Sequence, residues 1–377
     1  MNAKLWGLSW VVLALASAPS AAEVGVTDKE IILGTSISLN GGKNTYGVDA
    51  LQGMSVYLKA VNASGGVNGR QLVQRVLDDE DKAANAEANA RKLLQDGAFI
   101  LFSAIDGGPS TAIVKVANEA KVPFFGPMAG PPTLRKPHQA LVFPVRAEHK
   151  DEFRSLISWG KNTGLKTVGF LHADSDVGRM HLENVRAIVK ELGLEVTVAL
   201  PFKGDMNDAQ VDELAKAIVA TQPAMFLNHG SAGMYQKLVT KAKTNGARTT
   251  FMGVNSGSSQ IAKGLGTLAQ GMVFAQVVPN PMERKREITR EYQDAMRKAD
   301  PKAEFSYGSL EGYLTAKALV LALKETGKQL NRASLLKTLE NSQYDLGGVS
   351  VKYAPGDHEG SRFVDLSIVS RDGKFVQ

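Results

Sequence analysis

Cysteine is missing from all 377 residues. That absence excludes disulfide bridges, thiolate metal centres and a cysteine nucleophile together. There is no basic tract, zinc-finger spacing or helix-turn-helix start, and the net charge of +6 is spread over segments that interleave acids and bases. Nucleic acid is therefore not an expected partner. Neither H-E-x-x-H nor G-x-S-x-G occurs, and the six histidines are scattered. The S-x-x-K match at Ser334–Lys337 stands without its partner motifs in an amphipathic helix. Nothing assembles a nucleophile, base and oxyanion hole, so no catalytic residue is expected. The acidic run Asp78-Asp79-Glu80-Asp81 lacks the spaced glycine and closing glutamate of a calcium loop and reads as a strand end. Gly126 to Gly130 has glycines at the wrong intervals for a dinucleotide fingerprint. Neither a metal nor a cofactor is expected.

What is present is ordinary for a soluble globular protein: 44% hydrophobic and 22% charged residues, at a length that suits two α/β domains. Residues 1–22 differ from the rest. Lys4 precedes an apolar run from Leu5 to Ala16, and small residues follow as far as Ala22. This pattern predicts a secretory signal peptide cleaved after Ala22, too short for a comfortable membrane span and with no following cysteine for a lipid anchor. The mature chain is expected to be exported and soluble.

The stretch from Phe99 to Pro132 organises the remainder. Phe99–Phe102 reads as a strand buried on both faces. Gly107-Gly108 and Pro109-Ser110-Thr111 open a helix whose Ile113, Val114, Val116 and Ala117 share one side. A second buried strand, Val122–Phe125, ends in the loop Gly126 to Gly130. Open α/β sheets bind ligands at the carboxyl ends of their strands, so these loops read as half of a cleft. Strands at 30–38 and 71–77, with helices before and after the second, complete a doubly wound first half. Residues 140–146 cross to a second half, where the alternation restarts and runs to the strand at 271–278.

Six stretches then resemble one family when taken in order. They are Gly25 to Gly34, Tyr46-Gly47 with Asn62 to Arg70, Val122 to Pro127, Phe143 to Arg146, Glu311-Gly312-Tyr313, and Tyr353 to His358. The chain resembles the type I periplasmic solute-binding proteins of the leucine/isoleucine/valine-binding branch, the substrate-binding proteins of branched-chain amino acid ABC transporters. The resemblance implies an α/β fold of two Rossmann-like doubly wound lobes joined by a three-segment hinge. The first lobe would comprise 23–143 plus 279–340 and the second 144–278 plus 341–377, with crossings near 144, 279 and 341. It implies a periplasmic monomer, not an enzyme, that captures a small solute between the lobes and hands it to the permease subunits of an ABC importer in the inner membrane. The same fold also serves as a ligand-sensing subunit for a membrane sensor kinase or chemoreceptor, and that alternative stays open.

Carried over position by position, the resemblance places the first-lobe ligand site on Tyr46, with Asn40 of the preceding turn, on Asp106, Gly107 and Gly108, and on Met128, Ala129 and Gly130. Backbone N–H groups there hold a carboxylate in the family, and the Gly107-Gly108 turn offers such an anion site. In the second lobe the positions are Gly230, Ser231, Asn255 and Ser256, with His229 at the strand end as a donor to an anion. The family's acid that pairs with the substrate ammonium falls on Asn255. An unpaired buried ammonium is costly. Unless Asp106 or Asp176 supplies the missing charge, a branched-chain amino acid is not expected, and the solute reads as a small organic acid or an amide.

Overall fold

The computed structural model describes residues 23–39, 45–204 and 206–376. The expected signal peptide and Asn40 lie outside the described residues. Strand and helix alternate through β1 (Glu30–Ile37), α1 (Tyr46–Ala63), β2 (Gln71–Asp78), α2 (Ala83–Gln95), β3 (Ile100–Ile105), α3 (Gly107–Ala120), β4 (Phe124–Met128) and β5 (Val142–Phe143). Their strands form one parallel sheet in the order β2-β1-β3-β4-β5. β3 and β4 are buried at every residue, as helices on both faces of a parallel sheet require.

The pattern repeats in α4 (His149–Asn162), β6 (Thr167–Ala173), α5 (Asp176–Glu191), β7 (Glu195–Phe202), α6 (Asp208–Thr221), β8 (Met225–His229), α7 (Ala232–Thr244), β9 (Thr250–Gly253), α8 (Ser258–Leu265) and β10 (Val273–Gln276). Three helices follow: α9 (Glu287–Ala299), α10 (Tyr307–Thr326) and α11 (Arg332–Leu339). The chain ends in β11 (Gln343–Asp345), β12 (Ser350–Ala354), β13 (Asp357–Gly360), β14 (Asp365–Val369) and β15 (Phe375–Val376). The second sheet runs β15-β14-β10-β9-β8-β6-β7, parallel except for β14 and β15 at one edge. β11-β12-β13 form a small antiparallel sheet.

α10 begins at a capping box in which Ser306 and Ser309 satisfy each other's backbone N–H groups. It is apolar nearly all round, and fifteen of its twenty residues are buried, so it is a core helix and not a surface one. Its Gly312 lies so close to α1 that an added Cβ would sit 2.0 Å from the Ala50 carbonyl oxygen. That approach brings Glu311 against Tyr46 at the start of α1. Ser334, the serine of the S-x-x-K match, belongs to the capping box that opens α11.

The sheets are joined by segments at 144–148, 277–279 and 361–364. The third differs from the crossing expected near 341. Tyr344, Leu346, Val349, Val351 and Tyr353 of the small sheet pack into the core that surrounds α10, so the chain leaves that core only after β13. Two crossings run side by side: Ser361 N–H donates to the Val145 carbonyl at 3.0 Å.

Candidate functional site

Loops from the carboxyl ends of the two parallel sheets meet. Asn255, just beyond β9, donates through Nδ2 to Tyr46 Oη at 2.6 Å and to Glu311 Oε2 at 2.9 Å. Tyr46 Oη donates to the same Glu311 oxygen. Thr45 N–H reaches Gln260 Oε1 of α8 at 3.3 Å. At these residues the seam between the lobes is shut.

Arg146, on the first crossing segment, adjoins this contact. Its Nη2 donates to Glu152 Oε2 at 2.6 Å, and its Nη1 donates to Ser256 Oγ at 3.3 Å. The same Nη1 lies 3.8 Å from Glu311 Oε1. Glu152, one turn into α4, accepts the Asn255 backbone N–H at 2.8 Å. It also meets His149 Nδ1 at 2.6 Å, while His149 Nε2 lies 3.3 Å from the Gly130 N–H. An Nε2 that accepts must lack a proton, so Nδ1 carries it and donates to Glu152. Gly130 permits this approach, because a Cβ there would lie 2.7 Å from the His149 backbone nitrogen.

The two carboxylates share one guanidinium unequally. Burial raises the Glu152 carboxyl, but Arg146 and then His149 outweigh it and hold the group below its ordinary value. Burial also raises Glu311, and there Arg146 offsets only part, leaving it above its ordinary value. Two buried acceptors, Glu311 Oε1 and Asn255 Oδ1, have no hydrogen-bond partner. The seam is assembled from α1, the first crossing, α4, the loop after β9 and α10, and its buried groups are polar and charged.

A family model for periplasmic binding proteins matches residues 18–374. The chain belongs to the periplasmic binding protein family. Its members bind and deliver solutes and are not enzymes, in keeping with the missing catalytic motifs. Leu/Ile/Val-binding protein homolog 7 of Brucella suis is 20% identical over an alignment spanning 100% of this chain and 96% of that relative. The leucine-, isoleucine-, valine-, threonine- and alanine-binding protein of Pseudomonas aeruginosa is 27% identical over 60% of this chain and 61% of its own. An extracellular ligand-binding receptor from Verminephrobacter eiseniae superposes with a TM-score of 0.83 at 25% identity, over 92% of this chain and 100% of that one.

In this binding protein the expected site residues fall into two groups. Tyr46, Asn255, Ser256 and Gly130 are drawn together at the seam. Met128 and Ala129 are buried beside Gly130. Asp106, with φ 61°, precedes α3 and is half-buried with Gly107, while Gly108 is exposed. Gly230 is half-buried against the Asn228 side chain, and Ser231 is exposed. Asp176 is not in the site: its side chain is 93% exposed in the first turn of α5 and pairs with Arg179. Solvent, not the seam, satisfies that carboxylate, so it supplies no buried counter-charge.

His229 sits in a cluster that its position in the chain does not reveal. Its ring centroid lies 3.9 Å from that of His181 and 4.7 Å from that of His149. Burial, reinforced by His149, pushes His229 down to about 3. Burial and the neighbouring rings likewise push His181 well below its ordinary value. Both imidazoles are therefore neutral at pH 7, and His229 Nδ1 and both His181 ring nitrogens lack partners.

Arg146, His149, Glu152, His181 and Glu311 were not among the expected site residues. A signal existed for two of them. Arg146 closes the apolar stretch Val142-Phe143-Pro144-Val145, and Glu311 is the one acid in Leu310–Leu323, where Lys317 is the only other charge. A charge stranded in such a run needs a partner.

Proposed function

We propose that this chain is an exported solute-binding protein that closes its two lobes on a small polar solute and presents it to the permease subunits of an ABC importer. The solute is an amino-acid-like compound, an amide or a small organic acid. The observation that carries this reading is the convergence of Tyr46 and Glu311 from the first lobe with Asn255 and Ser256 from the second around Arg146. Hinge motion at 144–148, 277–279 and 361–364 opens and closes that convergence. The Pseudomonas aeruginosa relative, named for five amino acids, supports the amino-acid-like class. The protein acts in the periplasm as a monomer, after cleavage behind Ala22. Among the described residues, no helix is long and apolar enough to cross a membrane.

Isothermal calorimetry of residues 23–377 against a panel of amino acids, amides and small carboxylates tests the reading. One solute per chain at micromolar affinity or better is expected. A panel in which nothing binds or shifts the melting temperature removes the reading.

A further inference from the structure

Three imidazoles meet in the second lobe where it abuts the first. His149 comes from the start of α4, His181 from α5 and His229 from the end of β8. The ring centroids of His149 and His181 lie 5.3 Å apart, and those of His181 and His229 only 3.9 Å. The wholly buried Phe153 adjoins all three rings. On the first-lobe side, the helical turn Pro132–Leu134 packs against α5. His149 holds Gly130 of that lobe through two bonds. Its backbone N–H donates to the Gly130 carbonyl at 2.9 Å, and its Nε2 accepts the Gly130 N–H at 3.3 Å.

The second of these bonds exists in one protonation state only. Glu152 holds Nδ1 as a donor, so a further proton on the ring must sit on Nε2. A ring N–H would then face a backbone N–H, and the bond to the first lobe is lost. His181 and His229 make the same demand through charge. The groups that face the three rings are Glu152 from α4, Arg146 from the first crossing, Arg135 just after the Pro132–Leu134 turn, and His172 at the end of β6 as a fourth ring. Glu152 is the acid among them, and it is already engaged by Arg146 and His149. Both guanidiniums oppose added positive charge. Both His181 nitrogens and His229 Nδ1 are buried without partners, so a proton gained there would find no acceptor.

We propose that these histidines make lobe closure sensitive to protons: the shut arrangement requires His149, His181 and His229 to be neutral, and acid drives the lobes apart. Burial holds all three below the ordinary histidine value while the lobes are shut. Parting the lobes at Gly130 and at Pro132–Leu134 admits water, which favours the charged rings. Closure is therefore full above about pH 6.5 and is lost as the pH falls through that value. The device rests on the moving lobes of the reading above, not on what they hold.

Solution scattering of the mature chain without solute, from about pH 8 to about pH 5, tests it, with far-ultraviolet circular dichroism recorded on the same samples. The radius of gyration is expected to rise reversibly below about pH 6.5 while the dichroism stays native. His149→Gln keeps a donor for Glu152 and an acceptor for Gly130 but cannot titrate. His181→Leu removes two unpartnered nitrogens. Together they should move the rise down by roughly one pH unit or more. A parent radius that stays constant over the whole range overturns the inference, and that measurement stands even if the double variant does not fold. A rise at the same pH in the double variant also overturns it, by tracing the opening to the carboxyls of the seam, Glu311 among them. Loss of native dichroism along with the rise does the same, because acid would then be unfolding the chain. Calorimetry reads solute capture separately, so failure here leaves the solute-binding reading in place.

Discussion

The two ends of the buried seam are built from the same chemistry and behave differently. At one end Arg146, Glu152 and His149 saturate one another: each guanidinium, carboxylate and ring nitrogen there has a partner within 3.3 Å. At the other end Tyr46, Asn255 and Glu311 also touch, yet two of their oxygens accept nothing. The first end is closed chemistry that fixes the crossing segment against α4. The second is looser chemistry, in which the buried Glu311 carboxylate meets the Arg146 guanidinium only at 3.8 Å. The comparison separates a close ion pair from a loose one on the same guanidinium, although both carboxylates are almost wholly buried.

The sharpest way to break the contrast is to damage the saturated end. Glu152→Ala strands the Arg146 guanidinium in the interior and should cost about 3–5 kcal/mol in chemical denaturation. Lowering the pH should weaken the same region through the histidines that lean on it. The folded protein holds His229 neutral down to about 3, whereas the unfolded chain takes a proton near pH 6.5. Stability is therefore full above pH 6.5 and declines as the pH falls through that window, by about 2 kcal/mol for His229 at pH 5. His229→Asn should flatten the slope of melting temperature against pH.

Damage to the looser end should cost less. Asn255→Ala removes the bond to Tyr46 and should cost about 1 kcal/mol. It should also raise the radius of gyration of the unliganded protein in solution scattering as the lobes part. Glu311→Gln should change unliganded stability least of all, by about 0.5 kcal/mol or less, well inside the range of minor substitutions. Its carboxyl is raised in the fold, so its contribution is present at low pH and lost as the pH rises; at neutral pH glutamine relieves that burden. A loss there as large as that of Glu152→Ala would erase the distinction between the two ends.

Much of the architecture was legible because buried parallel strands write themselves as apolar runs. Phe99–Phe102 and Val122–Phe125 lie in or directly before β3 and β4, but the strands run on past them: Gly126–Met128, read as loop, belong to β4, and Gly107-Gly108 open α3. The helices α8 and α9 were not anticipated. Ser258–Leu265 is short, and Glu287–Ala299 is a strongly polar helix whose single buried stripe is carried by residues as mixed as Ile288, Thr289, Tyr292, Gln293 and Met296. The β12–β13 hairpin is likewise brief, and only packing decides that it joins the first core. At the site, backbone-led positions such as Tyr46, Gly130 and Asn255 could be placed because loop position follows topology. The charged partners could not, since they come from a crossing segment and from the middle of helices. Asp176 misled for the converse reason: its place at a strand's carboxyl end is right, but its side chain turns to solvent.

β14 and β15 lie after the small antiparallel sheet in the chain, yet they form the border of the second sheet next to β10. A ribosome making this polypeptide therefore releases β6 through β10 well before the pair of strands that covers β10. In the interval β10 offers a row of unsatisfied peptide groups, the kind of border that captures strands from other molecules. Docking of β14 against β10 is the step that closes that border.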